Sequence, residues 1–143
     1  YSNDILIEEF LNGIEVSCGI FSKQSHEEVI EIVALPITEI VSENDFFDYE
    51  AKYEGKSEEI TPARITKILT REVQELTKKI YQLLNLDGIC RIDFMIVKNI
   101  PYVIEINTIP GLSKESIIPK QIKEAGYKLS EIFDFCLAKS INK

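Results

Sequence analysis

Two neighbouring segments of this chain alternate polar with apolar side chains. Residues 91–97 read Arg-Ile-Asp-Phe-Met-Ile-Val, and residues 102–107 read Tyr-Val-Ile-Glu-Ile-Asn. Alternation of this kind, with β-branched or aromatic residues at the apolar positions, is typical of half-buried strands. Only residues 98–101 separate the two segments, which predicts a β-hairpin.

The length of the hairpin loop decides which side chains share a face of the sheet. A three-residue loop, in which Val97 pairs with Pro101, places Asp93 opposite Glu105. A two- or four-residue loop without a bulge would turn one strand over and separate these two acids. In the three-residue register the facing carboxylates repel each other. The pair persists at neutral pH only if a cation lies between the carboxylates or one of them is protonated.

The same register pairs Arg91 with Asn107 beside the two acids. Two carboxylates and an amide oxygen form an all-oxygen ligand set, which suits a hard divalent cation such as Mg²⁺. The alternative is a solvated polar face on an antiparallel sheet, in which Arg91 simply forms an ion pair with Asp93 or Glu105.

The apolar patterns elsewhere predict four further strands and three helices. The strands are expected at Ile5–Leu11, Glu15–Phe21, Val29–Leu35 and Ile37–Val41. The first helix is expected over Pro62–Leu84, with Thr61 as its N-cap and Pro62 at its first position. The other two are expected from about Ser116 to a stop at Gly126 and over Ser130–Ala138.

The segment Ser42–Pro62 is long, charged and only weakly periodic. Loops of this length within a compact domain are usually functional lids or disordered segments. We expect a lid.

Composition and charge limit the class of protein. The 143 residues are 45% hydrophobic and 28% charged, which is ordinary for a globular domain with one core. The net charge of −8 argues against binding to nucleic acid or to anionic membranes. The three cysteines, Cys18, Cys90 and Cys136, have no ligand spacing, so we expect them to be small buried residues in a reducing compartment.

Four segments together resemble a known family. The run Glu-Ile-Asn-Thr-Ile-Pro-Gly-Leu-Ser at 105–113, with Arg-Ile-Asp-Phe at 91–94, resembles the C-terminal signature of D-alanine–D-alanine ligases. Those enzymes belong to the ATP-grasp superfamily of carboxylate–amine ligases. Residues 47–53 are similar to the mobile active-site loop of the family, and residues 7–15 are similar to its nucleotide hinge.

The resemblance implies an α+β fold in which an antiparallel β-sheet is flanked by helices. Residues 1–143 would form a single domain, the C-terminal half of an ATP-grasp fold within a longer ligase. The N-terminal domain and the half that carries the phosphate loop would be absent, so we expect this chain alone to be inactive.

The resemblance also implies a nucleotide site. Glu8, Glu9 and Leu11 would contact the adenine edge of ATP, largely through backbone groups, and Glu15 would bind the ribose hydroxyls. In the lid, Lys52 would contact phosphate and Tyr53 would close a polar network over the substrate.

The hairpin residues take metal-binding and catalytic roles in this resemblance. Asp93, Glu105 and Asn107 would hold two Mg²⁺ (or Mn²⁺) ions. Arg91 would offset negative charge on the transferring phosphoryl group or on a tetrahedral oxyanion.

The segment after the hairpin would hold the second amino acid. Gly111 would leave room for a close approach of the backbone. Ser116 and Ile117, at the start of a helix, would contact the carboxylate of the second D-alanine. An ordinary serine at a helix N-terminus is the alternative for Ser116.

The family activity is the ATP-dependent joining of two D-alanines through an acyl phosphate, for peptidoglycan synthesis. The expected partners are D-alanine and ATP, with no nucleic acid and no membrane, in a cytoplasmic protein that is a homodimer at full length. Two alternatives remain open: another ATP-grasp carboxylate–amine ligase, or a nucleotide-binding module without ligase activity.

Overall fold

The computed structural model describes residues 5, 7–24, 30–42 and 57–141. The described strands are β1 (Ile14–Gln24), β2 (Ile30–Ala34), β3 (Thr38–Ser42), β4 (Ser57–Ile60), β5 (Cys90–Val97) and β6 (Ile100–Asn107). The described helices are α1 (Lys67–Leu83), α2 (Ile117–Glu124) and α3 (Leu129–Ile141). The predicted α+β class, an antiparallel sheet with flanking helices, is therefore confirmed.

All pairings among the described strands are antiparallel, in the order β4-β3-β1-β5-β6. The long strand β1 lies at the centre. β5 pairs with one edge of it, while the other edge is shared by β3, which pairs over Glu15–Ser17, and β2, which pairs over Ile20–Gln24. Along this edge of β1 the neighbouring strand therefore changes from β3 to β2 between Ser17 and Ile20, which makes this a divided sheet edge.

Clusters of apolar side chains lie on both faces of the sheet around β1. On one face, α1 packs Leu69 and Val73 against Val16, Cys18 and other buried strand residues. On the opposite face, side chains of α2 and α3 pack against β1, and this cluster includes Phe21, Leu35, Ile118, Ile122 and Ile132. Because successive side chains of a strand point to opposite faces, odd-numbered residues of β1 face α2 and α3.

The predicted strand at Ile5–Leu11 is wrong. The described residues before β1 form no strand, and Ile5, Ile7 and Phe10 are exposed. In the described part of the chain no neighbouring strand pairs with this segment. Its apolar pattern therefore does not become a strand here.

The predicted start of the first helix is also wrong. The helix begins at Lys67, and the N-cap is Thr66, whose Oγ1 accepts a hydrogen bond from the Leu69 amide at 3.3 Å. The preceding residues are bonded to the β3 region instead. The Ala63 amide donates to the Ile37 carbonyl at 2.8 Å, and the Thr61 hydroxyl lies 2.6 Å from that of Thr38.

The remaining elements agree closely with the predictions, except in the long charged segment. Residues 57–60 of that segment form β4 beside β3, and residues 43–56 lie outside the described part. The second helix ends before Gly126, which has a φ of 79°, as a C-terminal stop requires.

The described cysteines are not paired in disulfides. Cys18 and Cys90 are buried as predicted, whereas Cys136 is only half-buried, so the prediction is wrong for Cys136. Burial raises the pKa of the Cys18 thiol to about 12. No helix among the described residues is long and apolar enough to cross a membrane.

Candidate functional site

The hairpin that carries the polar cluster has a two-residue loop. Val97 pairs with Ile100, and the loop residues Lys98 and Asn99 have φ values of 51° and 64°. Positive φ at both central residues is the pattern of the tight turns that join twisted strands. The predicted three-residue loop, with Val97 opposite Pro101, is therefore wrong.

A β-bulge restores the predicted pairing at the other end of the hairpin. Phe94 pairs with Val103 whereas Asp93 pairs with Glu105, so Ile104 is an extra residue on β6. Such an insertion shifts the register by one residue. Beyond the bulge, Asp93 faces Glu105 as the sequence predicts, and Arg91 faces Asn107.

Arg91 is the cation that contacts the two facing carboxylates. Its Nη2 lies 2.7 Å from Asp93 Oδ2 and 3.6 Å from Glu105 Oε1, and its Nε donates to Asp93 Oδ1 at 2.9 Å. Burial alone would lower the pKa of the Arg91 guanidinium, but hydrogen bonding and attraction to Asp93 raise it above its ordinary value. The ion pair foreseen as the alternative for Arg91 is thus present.

Asn107 bridges the same two acids. Its Nδ2 donates to Glu105 Oε1 at 2.9 Å and to Asp93 Oδ2 at 3.2 Å. A half-turn of the Asn107 side-chain amide would place its oxygen, instead of its nitrogen, between the Asp93 and Glu105 carboxylates. The two acids differ in exposure, since the Asp93 side chain is 7% exposed and that of Glu105 is 48% exposed. The cluster therefore has a fixed buried acid and an accessible one.

The donor set fits a magnesium ion that also binds a nucleotide. Mg²⁺ is usually held by one or two carboxylates together with substrate phosphates, not by a cage of protein ligands. Asp93, Glu105 and Asn107 supply such a partial set of hard oxygen ligands. Among the described residues no group of three or more His, Cys, Asp and Glu side chains is placed to hold a metal ion by itself.

Sequence reasoning missed one residue of this cluster, Ser17. It lies directly opposite Asp93 on β1, is fully buried, and donates its hydroxyl to Asp93 Oδ1. The signal was the spacing to Glu15, because residues two apart on a strand share a face. Glu15, the predicted ribose ligand, pairs with Met95 and thus lies on the same face of the sheet as Asp93.

The other predicted nucleotide residues are less closely connected to the cluster. Glu8 and Glu9 are exposed and Leu11 is half-buried, in the segment that leads into β1. The predicted lid residues Lys52 and Tyr53 lie outside the described residues.

The predicted second-substrate residues come together at the start of α2. Ser116 occupies the N-cap position, and its Oγ lies 2.8 Å from Ser113 Oγ. A Cβ atom added to Gly111 would lie 2.9 Å from Ser116 Oγ, so the absence of a side chain there permits the close approach. The Ile117 side chain is buried, which leaves its backbone amide, one of the free amides of the first helical turn, as the group available to an anion.

Comparisons with known proteins agree with these observations. The family model described as "D-ala D-ala ligase C-terminus" matches residues 1–137. A protein of Flavobacterium johnsoniae named D-alanine–D-alanine ligase is 56% identical over 131 residues, which are 92% of this chain and 39% of that protein.

Two of the solved structures with similar folds are those of ligases. The D-alanine–D-alanine ligase of Bacillus anthracis complexed with ATP matches with a TM-score of 0.72 and 31% identity, over 94% of this chain and 42% of that one. The VanG D-Ala:D-Ser ligase of Enterococcus faecalis matches with a TM-score of 0.72 and 29% identity, over 91% of this chain and 37% of that one. The chain thus spans about two fifths of the length of these relatives.

Proposed function

The chain belongs to the family of the D-alanine–D-alanine ligase C-terminus, and from this premise we propose that its protein joins two D-alanines with conversion of ATP to ADP. The observation that carries the proposal is the bulged hairpin that sets Asp93 against Glu105, beside Arg91 and Asn107. Residues 1–143 act as the C-terminal ATP-grasp portion of a longer ligase. Two findings support this: the family model describes a ligase C-terminus, and the chain matches 39% of the Flavobacterium johnsoniae protein.

The proposed reaction has two steps. The carboxylate of one D-alanine attacks the γ-phosphorus of ATP, the bond to the bridging oxygen of ADP breaks, and an acyl phosphate forms. The amine of a second D-alanine then attacks the acyl carbon, loses a proton, and displaces inorganic phosphate through a tetrahedral intermediate. Neither step needs a protein nucleophile, so positioning and charge stabilisation carry the catalysis.

The hairpin residues serve the phosphoryl transfer. Asp93, Glu105 and Asn107 would hold Mg²⁺ or Mn²⁺, which supplies positive charge to the nucleotide phosphates when bound. Arg91 already lies at both carboxylates, and its planar guanidinium is suited to phosphoryl and oxyanion oxygens. It therefore stabilises the negative charge that develops on the transferring group.

The remaining predicted residues bind the substrates. Glu15, on the same face of the sheet as Asp93, holds the ribose. Glu8, Glu9 and Leu11 line the adenine edge. The N-terminus of α2, with Ser116 and the Ile117 amide, binds the carboxylate of the second D-alanine, because free helix amides and the helix dipole favour an anion.

In the predicted lid, Lys52 contacts phosphate and Tyr53 closes a polar network over the substrate, which keeps water away from the acyl phosphate. The dipeptide is a peptidoglycan precursor, so we place the protein in the bacterial cytoplasm, and we propose a homodimer at full length.

A test of this function measures phosphate release from ATP and Mg²⁺ by the full-length protein with D-alanine, L-alanine or D-lactate. We expect turnover with D-alanine alone, and a loss of about 100-fold or more in Asp93→Asn and Glu105→Gln. Glu72→Gln, which neutralises an exposed acid of α1, is the matched control and should keep full activity. Turnover that survives both hairpin substitutions would contradict the proposed site.

One observation favours a second candidate, a ligase that takes D-serine as the second amino acid. The D-Ala:D-Ser ligase matches this chain with nearly the same identity and TM-score as the D-alanine–D-alanine ligase. Product analysis with equal concentrations of D-alanine and D-serine distinguishes the two. A D-alanyl-D-serine product would identify D-serine as the second substrate and leave the proposed mechanism unchanged.

A further inference from the structure

A buried chain of hydrogen bonds runs from α2 through β1 to the acid at the centre of the site. We propose that Ser17 is a positioning residue that orients the Asp93 carboxylate for divalent-cation binding, and that Gln121 holds the strand segment that carries Ser17. The inference rests on the proposed function, since it assigns a role toward the cation of that site.

The Ser17 hydroxyl is one of three side-chain groups that orient the Asp93 carboxylate, together with those of Arg91 and Asn107. It donates to Oδ1 from the neighbouring strand, while Oδ2 receives the Asn107 amide. Asn107 also bonds Glu105, so Oδ2 is the oxygen on the side of the facing acid. Arg91 contacts both oxygens and lies on the site's own hairpin, whereas Ser17 is fully buried behind Asp93. Of these three partners, Ser17 is the one with no exposed surface and the one that lies outside the hairpin.

Gln121 fixes the backbone of Ser17 where the sheet edge divides. Between the β3 pairing, which ends at Ser17, and the β2 pairing, which begins at Ile20, the edge of β1 has polar backbone groups to satisfy. Gln121 Oε1 accepts from the Gly19 amide at 2.9 Å, and its Nε2 donates to the Ser17 carbonyl at 2.9 Å. The side-chain amide thus takes the place of a peptide group of a neighbouring strand.

The fit around Gln121 is tight and buried. Its side chain has no exposed surface, and its Nε2 also donates to Thr38 Oγ1 at 3.0 Å. A Cβ atom at Gly19 would lie 2.5 Å from Gln121 Oε1, so the glycine provides the space that the amide fills. Gln121 belongs to α2 and bonds Ser17 and Gly19, and Ser17 also bonds Asp93. This short segment of β1 is therefore connected both to α2 and to Asp93.

The experiment measures Mn²⁺ binding by electron paramagnetic resonance in the ATP complex of the full-length protein. We expect Ser17→Ala to raise the Mn²⁺ dissociation constant about 10- to 100-fold, as loss of an outer-shell partner does. Ser17→Thr keeps the hydroxyl and should bind Mn²⁺ like the unsubstituted protein. Ser17→Cys, which fills the same space with a weak donor, should bind as weakly as the alanine variant and keeps the test decisive if the latter does not fold.

The matched control is Ser22→Ala. Ser22 lies on the same strand, is equally buried, and accepts a hydrogen bond from Tyr81 at 3.4 Å, away from the carboxylates. It should leave Mn²⁺ affinity unchanged. Equal weakening by Ser17→Ala and Ser22→Ala, or no weakening by Ser17→Ala and Ser17→Cys, would overturn the inference.

The outcome is separable from that of the proposed function. A protein that binds Mn²⁺ and responds to Ser17 as expected, yet forms no dipeptide, would support the positioning role and refute the ligase activity. A protein that forms the dipeptide, but whose Mn²⁺ affinity does not change on substitution of Ser17, would support the ligase activity and refute the positioning role.

Discussion

Replacement of Gln121 by leucine removes three buried hydrogen bonds at once and should strongly destabilise the fold. The Gly19 amide and the Ser17 carbonyl both lose the partner that the side-chain amide provides. An unsatisfied buried polar group costs about 1–3 kcal/mol. Thr38 Oγ1 keeps its contact with Thr61 Oγ1 at 2.6 Å and adds little. We therefore expect a loss of about 2–6 kcal/mol in the free energy of unfolding.

Urea unfolding followed by far-ultraviolet circular dichroism measures this loss, with Gln74→Leu as the matched control. Gln74 is also a helical glutamine bonded to a strand carbonyl, that of Leu35 at 3.0 Å, but it is only half-buried and makes one such bond. Its substitution should cost about 1 kcal/mol. Hydrogen exchange gives a local measure, since the Gly19 amide should exchange faster in Gln121→Leu alone. Equal destabilisation by the two substitutions, with Gly19 exchange unchanged, would show that Gln121 does not satisfy these buried backbone groups.

Three further predictions concern stability. Gly19→Ala should lower the free energy of unfolding by about 1–3 kcal/mol. The new Cβ would lie 2.5 Å from Gln121 Oε1 and 2.6 Å from Ile118 Cδ1. An unchanged urea midpoint would contradict this prediction. Thr66→Ala should cost about 1 kcal/mol through loss of the α1 N-cap, whereas Thr66→Ser should restore most of it; equal losses in thermal melts would exclude a capping role. Hydrogen bonding to Arg64 lowers the pKa of Glu39 below its ordinary value of 4.5, so this stabilisation is complete above about pH 4.5 and is lost as the pH falls through the lower folded-state pKa. Glu39→Gln should therefore flatten the acid side of the stability profile, and a profile identical to that of the unsubstituted protein would disprove the linkage.

The sequence predicted the hairpin because alternation records which face each side chain takes. It could not predict how Asp93 comes to face Glu105. A three-residue loop and a two-residue loop followed by a bulge at Ile104 give the same pairing beyond the bulge, and alternation cannot distinguish them. The correct register was thus reached through a wrong loop.

Other features depend on contacts that local sequence does not contain. Thr61 and Pro62 form a strong helix-start pattern, yet hydrogen bonds of residues 61–63 to the β3 region delay the helix to Lys67. Ser17 and Gln121 look like ordinary polar residues of a strand and a helix. Their importance comes from burial and from the divided sheet edge, which become visible only when the elements are packed.

Anomalous X-ray diffraction from crystals of the full-length protein with ATP and Mn²⁺ would locate the divalent cation of the proposed site. We expect an anomalous peak bounded by the Asp93 and Glu105 carboxylates and the nucleotide phosphates, and no such peak in Glu105→Gln. Mn²⁺ bound to the nucleotide elsewhere, with Arg91 still joining the two carboxylates, would contradict this expectation.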